Sequence, residues 1–374
     1  MQLTLGRLQL LREKYIIFKT IELYLRENSF IYKMQKSKVV IIAEAGVNHN
    51  GDMDLAMKLI DEAAKSGADY VKFQTFKAEK LVSKVAPKAD YQNANMKQKG
   101  GTQHEMLKKL ELSVDQHLQL VEDCGKRGVK FMSTPFDLES ADFLNQLKMD
   151  YFKVSSGDIT NLPLLKKMAG FKKKVIFSTG MCTMSEIKDA LDVLLNNGLE
   201  KKDITILHCN TEYPTPFVDV NLNAMQTIAK ECGVEVGYSD HTLGIELPIA
   251  AVALGAVMIE KHFTLDKNLE GPDHKASLDP TELSAMVKAI RNIELAMGSA
   301  DKKPSGSEKK NMAIARKSIH LARSINKDEL IKENDLEMLR PGDGISPMEM
   351  HKVIGKKVKY NLELSHKLSW EDLI

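Results

Sequence analysis

Cysteine is scarce and unpatterned in this chain. Only four occur in 374 residues, Cys124, Cys182, Cys209 and Cys232, and none stands in C-x-x-C spacing. That argues against a disulfide framework or a zinc knuckle and for reduced thiols in a cytoplasmic setting. No charge excess exists either: the formal net charge is +2, with 28% charged residues and both signs interspersed. A nucleic-acid-binding role therefore has no electrostatic support. Long apolar runs are also missing, since none approaches the roughly 20 residues that cross a bilayer, and no membrane role is expected. The first 33 residues alternate apolar and basic side chains without a small-residue cleavage site, so a secretory signal is not indicated. Residues 1–35 are read as an N-terminal extension, helical or disordered, with no catalytic part. Met34 stands just before the first strand pattern.

Eight short runs rich in Val, Ile and Phe, at 39–43, 70–73, 129–132, 151–154, 175–177, 204–207, 234–238 and 257–259, each stop at polar or ionisable residues. Between them lie stretches with apolar residues at three-to-four spacing, several closed by a glycine suited to a left-handed cap. Alternating strand and helix patterns imply a parallel sheet, and eight repeats imply closure. The expected fold is α/β, a (β/α)8 TIM barrel over 36–297, with its chemistry on the loops after the strands. A polar insert at 77–103 follows the second strand and should cap the mouth. Such barrels take about 250 residues, so a second module is expected: a polar linker at 298–312, then a small, mostly β domain at 313–374 whose thin core leans on another surface.

The strand ends carry a resemblance. Glu44-Ala45-Gly46-Val47-Asn48-His49-Asn50-Gly51, Val71-Lys72-Phe73-Gln74-Thr75-Phe76, Ser133-Thr134-Pro135-Phe136-Asp137, Ser178-Thr179-Gly180-Met181, His208-Cys209-Asn210-Thr211-Glu212-Tyr213-Pro214-Thr215-Pro216, Ser239-Asp240-His241-Thr242 and Glu260-Lys261-His262-Phe263-Thr264 resemble the sialic acid synthase family. The tail, with Leu339-Arg340-Pro341-Gly342-Asp343-Gly344, resembles that family's C-terminal antifreeze-like (SAF) domain. The resemblance implies an N-acetylneuraminate synthase, which condenses phosphoenolpyruvate with N-acetylmannosamine and water to give N-acetylneuraminic acid and phosphate.

That reaction joins C3 of phosphoenolpyruvate to a sugar aldehyde, adds water at C2 and expels phosphate, so it needs three kinds of group. The aldehyde needs a Lewis acid. His241 and His262, at the ends of neighbouring strands, are the expected ligands for a divalent metal, Mn2+ first and Mg2+ or Co2+ as alternatives. The anionic substrate needs fixed positive charge and hydroxyl donors, and the resemblance assigns Lys72, Lys153, Ser156, Ser178 and Ser239 to it, with Gln74 and Asn210 or Thr211 on the same rim. Proton transfer is given to Glu44, whose small and apolar neighbours would raise its pKa. Asp158 and Asp273 are expected to contact the sugar, although many relatives carry Glu at the Asp158 position. Tyr213 is expected to shape the wall. The resemblance also implies a homodimer in which the small domain of one chain covers the other's barrel, with Arg340 reaching an N-acetyl group.

Three alternatives share parts of this pattern. One is a legionaminic or pseudaminic acid synthase acting on a 2,4-diacetamido hexose. Another is a metal-independent aldolase with a Schiff-base lysine, for which Lys72, Lys153 and Lys261 are candidates. The third is a non-catalytic saccharide-binding protein, which the set Glu44, His241 and His262 opposes.

Overall fold

The alternation of side chains along the strands decides the architecture. In the first strand Ile41 and Ala43 face one way and Ile42 and Glu44 the other, and all four are buried. A strand buried on both faces belongs to a parallel sheet covered by helices. The computed structural model describes residues 38–96 and 100–374, so the extension expected at 1–35 lies outside the described residues. Two compact units divide the chain after Gly298.

In the first unit, eight parallel strands, β1 (Val40–Gly46), β2 (Tyr70–Thr75), β3 (Lys130–Pro135), β4 (Tyr151–Val154), β5 (Lys174–Ser178), β6 (Ile204–Cys209), β7 (Glu235–Asp240) and β8 (Met258–His262), run in the order β3-β2-β1-β8-β7-β6-β5-β4. Strands β3 and β4 lie side by side at the seam, which makes a nearly closed barrel. Ile42, Tyr70, Met132, Ile176, Leu207 and Met258 fill its interior. The opposite faces, with Val71, Phe73, Phe152, Phe177, Ile206 and Ile259, pack under the helices. Those helices begin at side-chain caps such as Asp52, Ser113, Thr183 and Asp279, each accepting from backbone N–H groups of the first turn. Gly237 is dictated by crowding, because a Cβ there would meet the carbonyl of Met258 and the Leu207 side chain that occupies the interior.

The 77–103 insert contributes the short helices Ala78–Leu81 and Asp90–Asn95, followed by Gln103–Lys108. Val47, Phe76, Ala78, Met106, Leu107 and Leu110 form a separate apolar cluster beneath it. Among the described residues no helix is long and apolar enough to cross a membrane.

The second unit begins at Ser299. Residues 298–312 were expected to be a linker, yet Gly306–Ala315 is helical, with Ser305 and Glu308 in a capping box. That helix has no buried residue, so its sequence carries no apolar stripe from which to read it. The remainder holds a two-stranded antiparallel sheet, β9 (Ser318–Leu321) with β10 (Leu336–Leu339). Its small core is formed by Ile319, Leu321, Ile325, Ile331, Ile345, Val353, Val358, Leu362, Leu368 and Leu373.

Candidate active site

Continuing the inward alternation past the apolar interior places Glu44, Lys72, Thr134, Lys153, Ser178, Cys209, Ser239, Glu260 and His262 at the top of the barrel. There they line one cavity of about 470 Å³, a size suited to small-molecule ligands. Its floor is a buried charge network. Lys72 Nζ lies 2.8 Å from Glu44 Oε2 and 3.6 Å from Glu260 Oε2, and it donates to Thr134 Oγ1 across 3.1 Å. Lys153 Nζ and Ser239 Oγ both donate to Glu260 Oε1, each at 3.0 Å. Four ionisable groups, two acids and two bases, thus sit where isolated charges would be costly.

The network splits the two carboxylates. Burial pushes Glu44 up to about 7; Lys72 opposes this, and the neighbouring Glu260 charge adds to it. Burial also works on Glu260, but Lys153 and Lys72 outweigh it and hold that carboxyl well below the usual range. Two groups of one kind are thereby poised for different work, Glu44 to exchange a proton and Glu260 to remain an anchor. Ser178 Oγ, buried without a hydrogen-bond partner among the described residues, faces the same cavity.

His241 and His262 come together as the sequence suggests, with ring centroids 5.4 Å apart. His241 Nδ1 donates to the carbonyl of Asn210, which fixes the ring and leaves Nε2 as its other nitrogen. Burial, aided by His241 and Lys72, holds His262 well below its ordinary value, so its ring is neutral, the form that ligates metal. Its buried Nδ1 lacks a hydrogen-bond partner among the described residues and lies 4.0 Å from Asp273 Oδ2. Gly46, at a bulge with φ +53°, keeps this corner open, because a Cβ there would crowd His262 Cε1 and Glu44 Oε1. Among the described residues no cluster of three or more His, Cys, Asp or Glu forms a ready ligand set. Two imidazoles with carboxylates nearby nevertheless fit a divalent ion that keeps several positions for water or substrate oxygen.

Gln74, Ser156, Thr211, Tyr213 and Asp273 also line the cavity. Tyr213 stacks on His241 at 4.0 Å, and burial raises Asp273 to about 6. Two expected contacts lie elsewhere. Asp158 does not line the cavity: its carboxylate accepts from Ser155 Oγ (2.7 Å) and Asn161 Nδ2 (3.1 Å), bracing the loop after β4. A sugar contact was expected there, but a buried carboxylate takes the nearest donors. Asn210 likewise faces away, its Oδ1 accepting from Glu212 N and Thr215 Oγ1, and acts on the site through the backbone carbonyl that orients His241.

Arg340 follows β10 in the second unit, exposed, with Nε donating to the carbonyl of Ala315. Lys261 points outward from β8 and is fully buried against Asp240 and the carbonyl of Thr242, so it is no Schiff-base candidate in this cavity. Glu260 and Thr134 were overlooked as site residues. Their signal was the period of two, which places Glu260 on the same face as His262 and Thr134 beside Gln74 in register.

A model of the NeuB family matches residues 59–302. The chain belongs to the NeuB family. Residues 316–373 match the SAF domain. The chain is 54% identical over 322 residues to the N,N'-diacetyllegionaminic acid synthase of Campylobacter jejuni subsp. jejuni serotype O:2, covering 85% of this chain and 95% of the relative. It is 49% identical over 336 residues to the synthase of the same name from Legionella pneumophila subsp. pneumophila, covering 89% and 94%. A crystal structure of N-acetylneuraminic acid (sialic acid) synthetase from Leptospira borgpetersenii serovar Hardjo-bovis, in complex with citrate, superposes with a TM-score of 0.63 at 34% identity, covering 74% of this chain and 90% of that one. This NeuB barrel is therefore akin to synthases of sugar acids.

Proposed function

We propose that the chain is a phosphoenolpyruvate-dependent sugar-acid synthase whose acceptor is a 2,4-diacetamido hexose, making it an N,N'-diacetyllegionaminic acid synthase. The sequence alone favoured N-acetylmannosamine. The acceptor reading changes because the relatives at 54% and 49% identity bear the diacetyllegionaminic name, whereas the N-acetylneuraminic acid synthetase stands at 34%.

The observation that carries the reaction is the Glu44–Lys72–Glu260–Lys153 network beneath two imidazoles. Lys72 and Lys153, oriented by Glu260, would hold the phosphate and carboxylate of phosphoenolpyruvate, with the hydroxyls of Ser178 and Ser239 as donors. His241 and His262 would hold a divalent ion, Mn2+ first among candidates. When bound, that ion would supply Lewis-acid polarisation of the open-chain aldehyde. With both substrates present, C3 of the enol phosphate forms a bond to the aldehyde carbon. Water then adds at C2, and the C2–O bond to phosphate breaks. Glu44, with a carboxyl near 7, is the group placed to take the proton from that water. A homodimer in which Arg340 of one protomer reaches the other's acceptor belongs to this reading, supported by the matched SAF domain.

The test is direct. Purified protein is mixed with phosphoenolpyruvate, Mn2+ and a panel of N-acetylated sugars, and the products are weighed by mass spectrometry. A nonulosonic acid carrying two acetamido groups from the sugar, formed with one phosphate released, is the expected product. Turnover of N-acetylmannosamine in preference to every diacetamido sugar would refute the acceptor assignment.

A further inference from the structure

The cavity has two unlike halves. The floor and the β7–β8 side carry the ionised groups described above. The other side is built by the insert after β2, where Leu81, Val82 and Met106 meet Val47 and Phe136 in one apolar cluster. At its edge stands Gln103, half-buried, whose side-chain amide makes no hydrogen bond among the described residues, while its backbone N–H donates to the carbonyl of Ala86. The insert is fastened over the mouth at two points. Asn95 Nδ2 donates to the carbonyl of Pro272 across 2.7 Å, and the Tyr91 ring stacks on Tyr213 at 5.0 Å.

Among the described residues no cation lines this half, so neither anionic group of phosphoenolpyruvate finds a partner among them here. A sugar hydroxyl would fare little better, since it would leave water for a largely apolar wall on which the Gln92 amide is already engaged with Ala89 N–H and Tyr91 Oη, leaving Gln103 as the unengaged amide. An acetamido group suits both features at once, with a methyl for the apolar wall and an N–H and carbonyl for an unengaged amide.

We propose that the insert forms an N-acyl subsite: the second acetamido group of the acceptor lies there, its methyl against Leu81, Val82 and Met106 and its amide on Gln103. This rests on the diacetamido acceptor reading. It assigns acceptor selectivity to a segment outside the eight strand ends that carry the reaction.

One methyl in an apolar pocket is worth roughly 10- to 200-fold in selectivity. The experiment is an internal competition: equimolar N-acetylmannosamine and 2,4-diacetamido-2,4,6-trideoxymannose, with limiting phosphoenolpyruvate and Mn2+, and the ratio of the two products read by mass. Both products come from the same active molecules, so the ratio is independent of the folded fraction. Leu81→Asn, Val82→Asn and Gln103→Ala should each lower the diacetamido preference by about tenfold or more. Gln103 lies outside the apolar cluster, so Q103A reads the subsite even where an asparagine weakens the fold. A wild-type preference for N-acetylmannosamine would sink the acceptor reading and the subsite with it. A wild-type preference for the diacetamido sugar, with ratios within about twofold of wild type in all three variants, would sink the subsite alone.

Discussion

Glu260→Gln tests whether the floor of the site is organised by charge. In the native network Lys153 Nζ sits 3.0 Å from Glu260, its only carboxylate within ion-pair distance among the described residues. Lys72 is 3.6 Å from Glu260 but keeps Glu44 at 2.8 Å. The amide preserves shape and can still accept from Ser239, but it leaves Lys153 as a buried cation without a counter-charge. Breaking a buried pair from one side costs roughly 3–5 kcal/mol. The lower end applies, because burial already depresses Lys153 against the pull of Glu260, and the lysine can shed its proton. At roughly 2–4 °C per kcal/mol for a domain of this size, the barrel should melt about 6–12 °C lower. Saturating phosphoenolpyruvate should then raise the melting temperature of the variant more than that of the wild type, since the ligand's negative charges replace the missing carboxylate. Scanning calorimetry at neutral pH, with and without the ligand, reads both quantities. A variant melting within about 1 °C of wild type, or gaining no more from the ligand, would remove the charge argument.

Four further outcomes are expected. Glu44 is raised to about 7 by burial, so kcat/KM should climb as pH passes through that value, and Glu44→Gln should lose the limb along with roughly 10²- to 10⁴-fold in rate. The same shift makes folding stability fall as pH rises from about 4.5 towards 7, because the folded chain retains a proton that the unfolded chain releases; calorimetry across that range should show E44Q without this slope. His241→Ala and His262→Ala should each lower bound Mn2+ measured by elemental analysis, and unchanged metal content would count against both as ligands. Arg340→Ala should raise the KM for the sugar with the melting temperature unmoved, and in a mixture with Glu44→Gln the subunits should regain part of the activity if the site is shared between protomers.

Much of this was legible because the strand period of two survives the change from apolar to polar residues. Lys72 and Lys153 stand out in sequence as cations inside hydrophobic runs, and the structure buries both beside carboxylates. Glu260 obeys the same arithmetic but was masked by the two showier residues that follow it. Asp158 misled, because its partners Ser155 and Asn161 are found only once the loop after β4 has turned. Asn210 acts through a carbonyl, a group every residue owns, so no side-chain pattern announces it. The insert's Tyr91 could not be paired with Tyr213 from sequence, since their meeting depends on two loops that start from opposite sides of the barrel.

Behind the two imidazoles, on the face turned from the cavity, Lys261 is clamped to Asp240 and the Thr242 carbonyl, each an immediate chain neighbour of His241, while Lys261 itself adjoins His262. That salt link joins the two paired strand ends from which the rings project. A designer working on this corner would have to treat the hidden couple as one unit, because exchanging a single member strands its mate in hydrocarbon beneath both histidines.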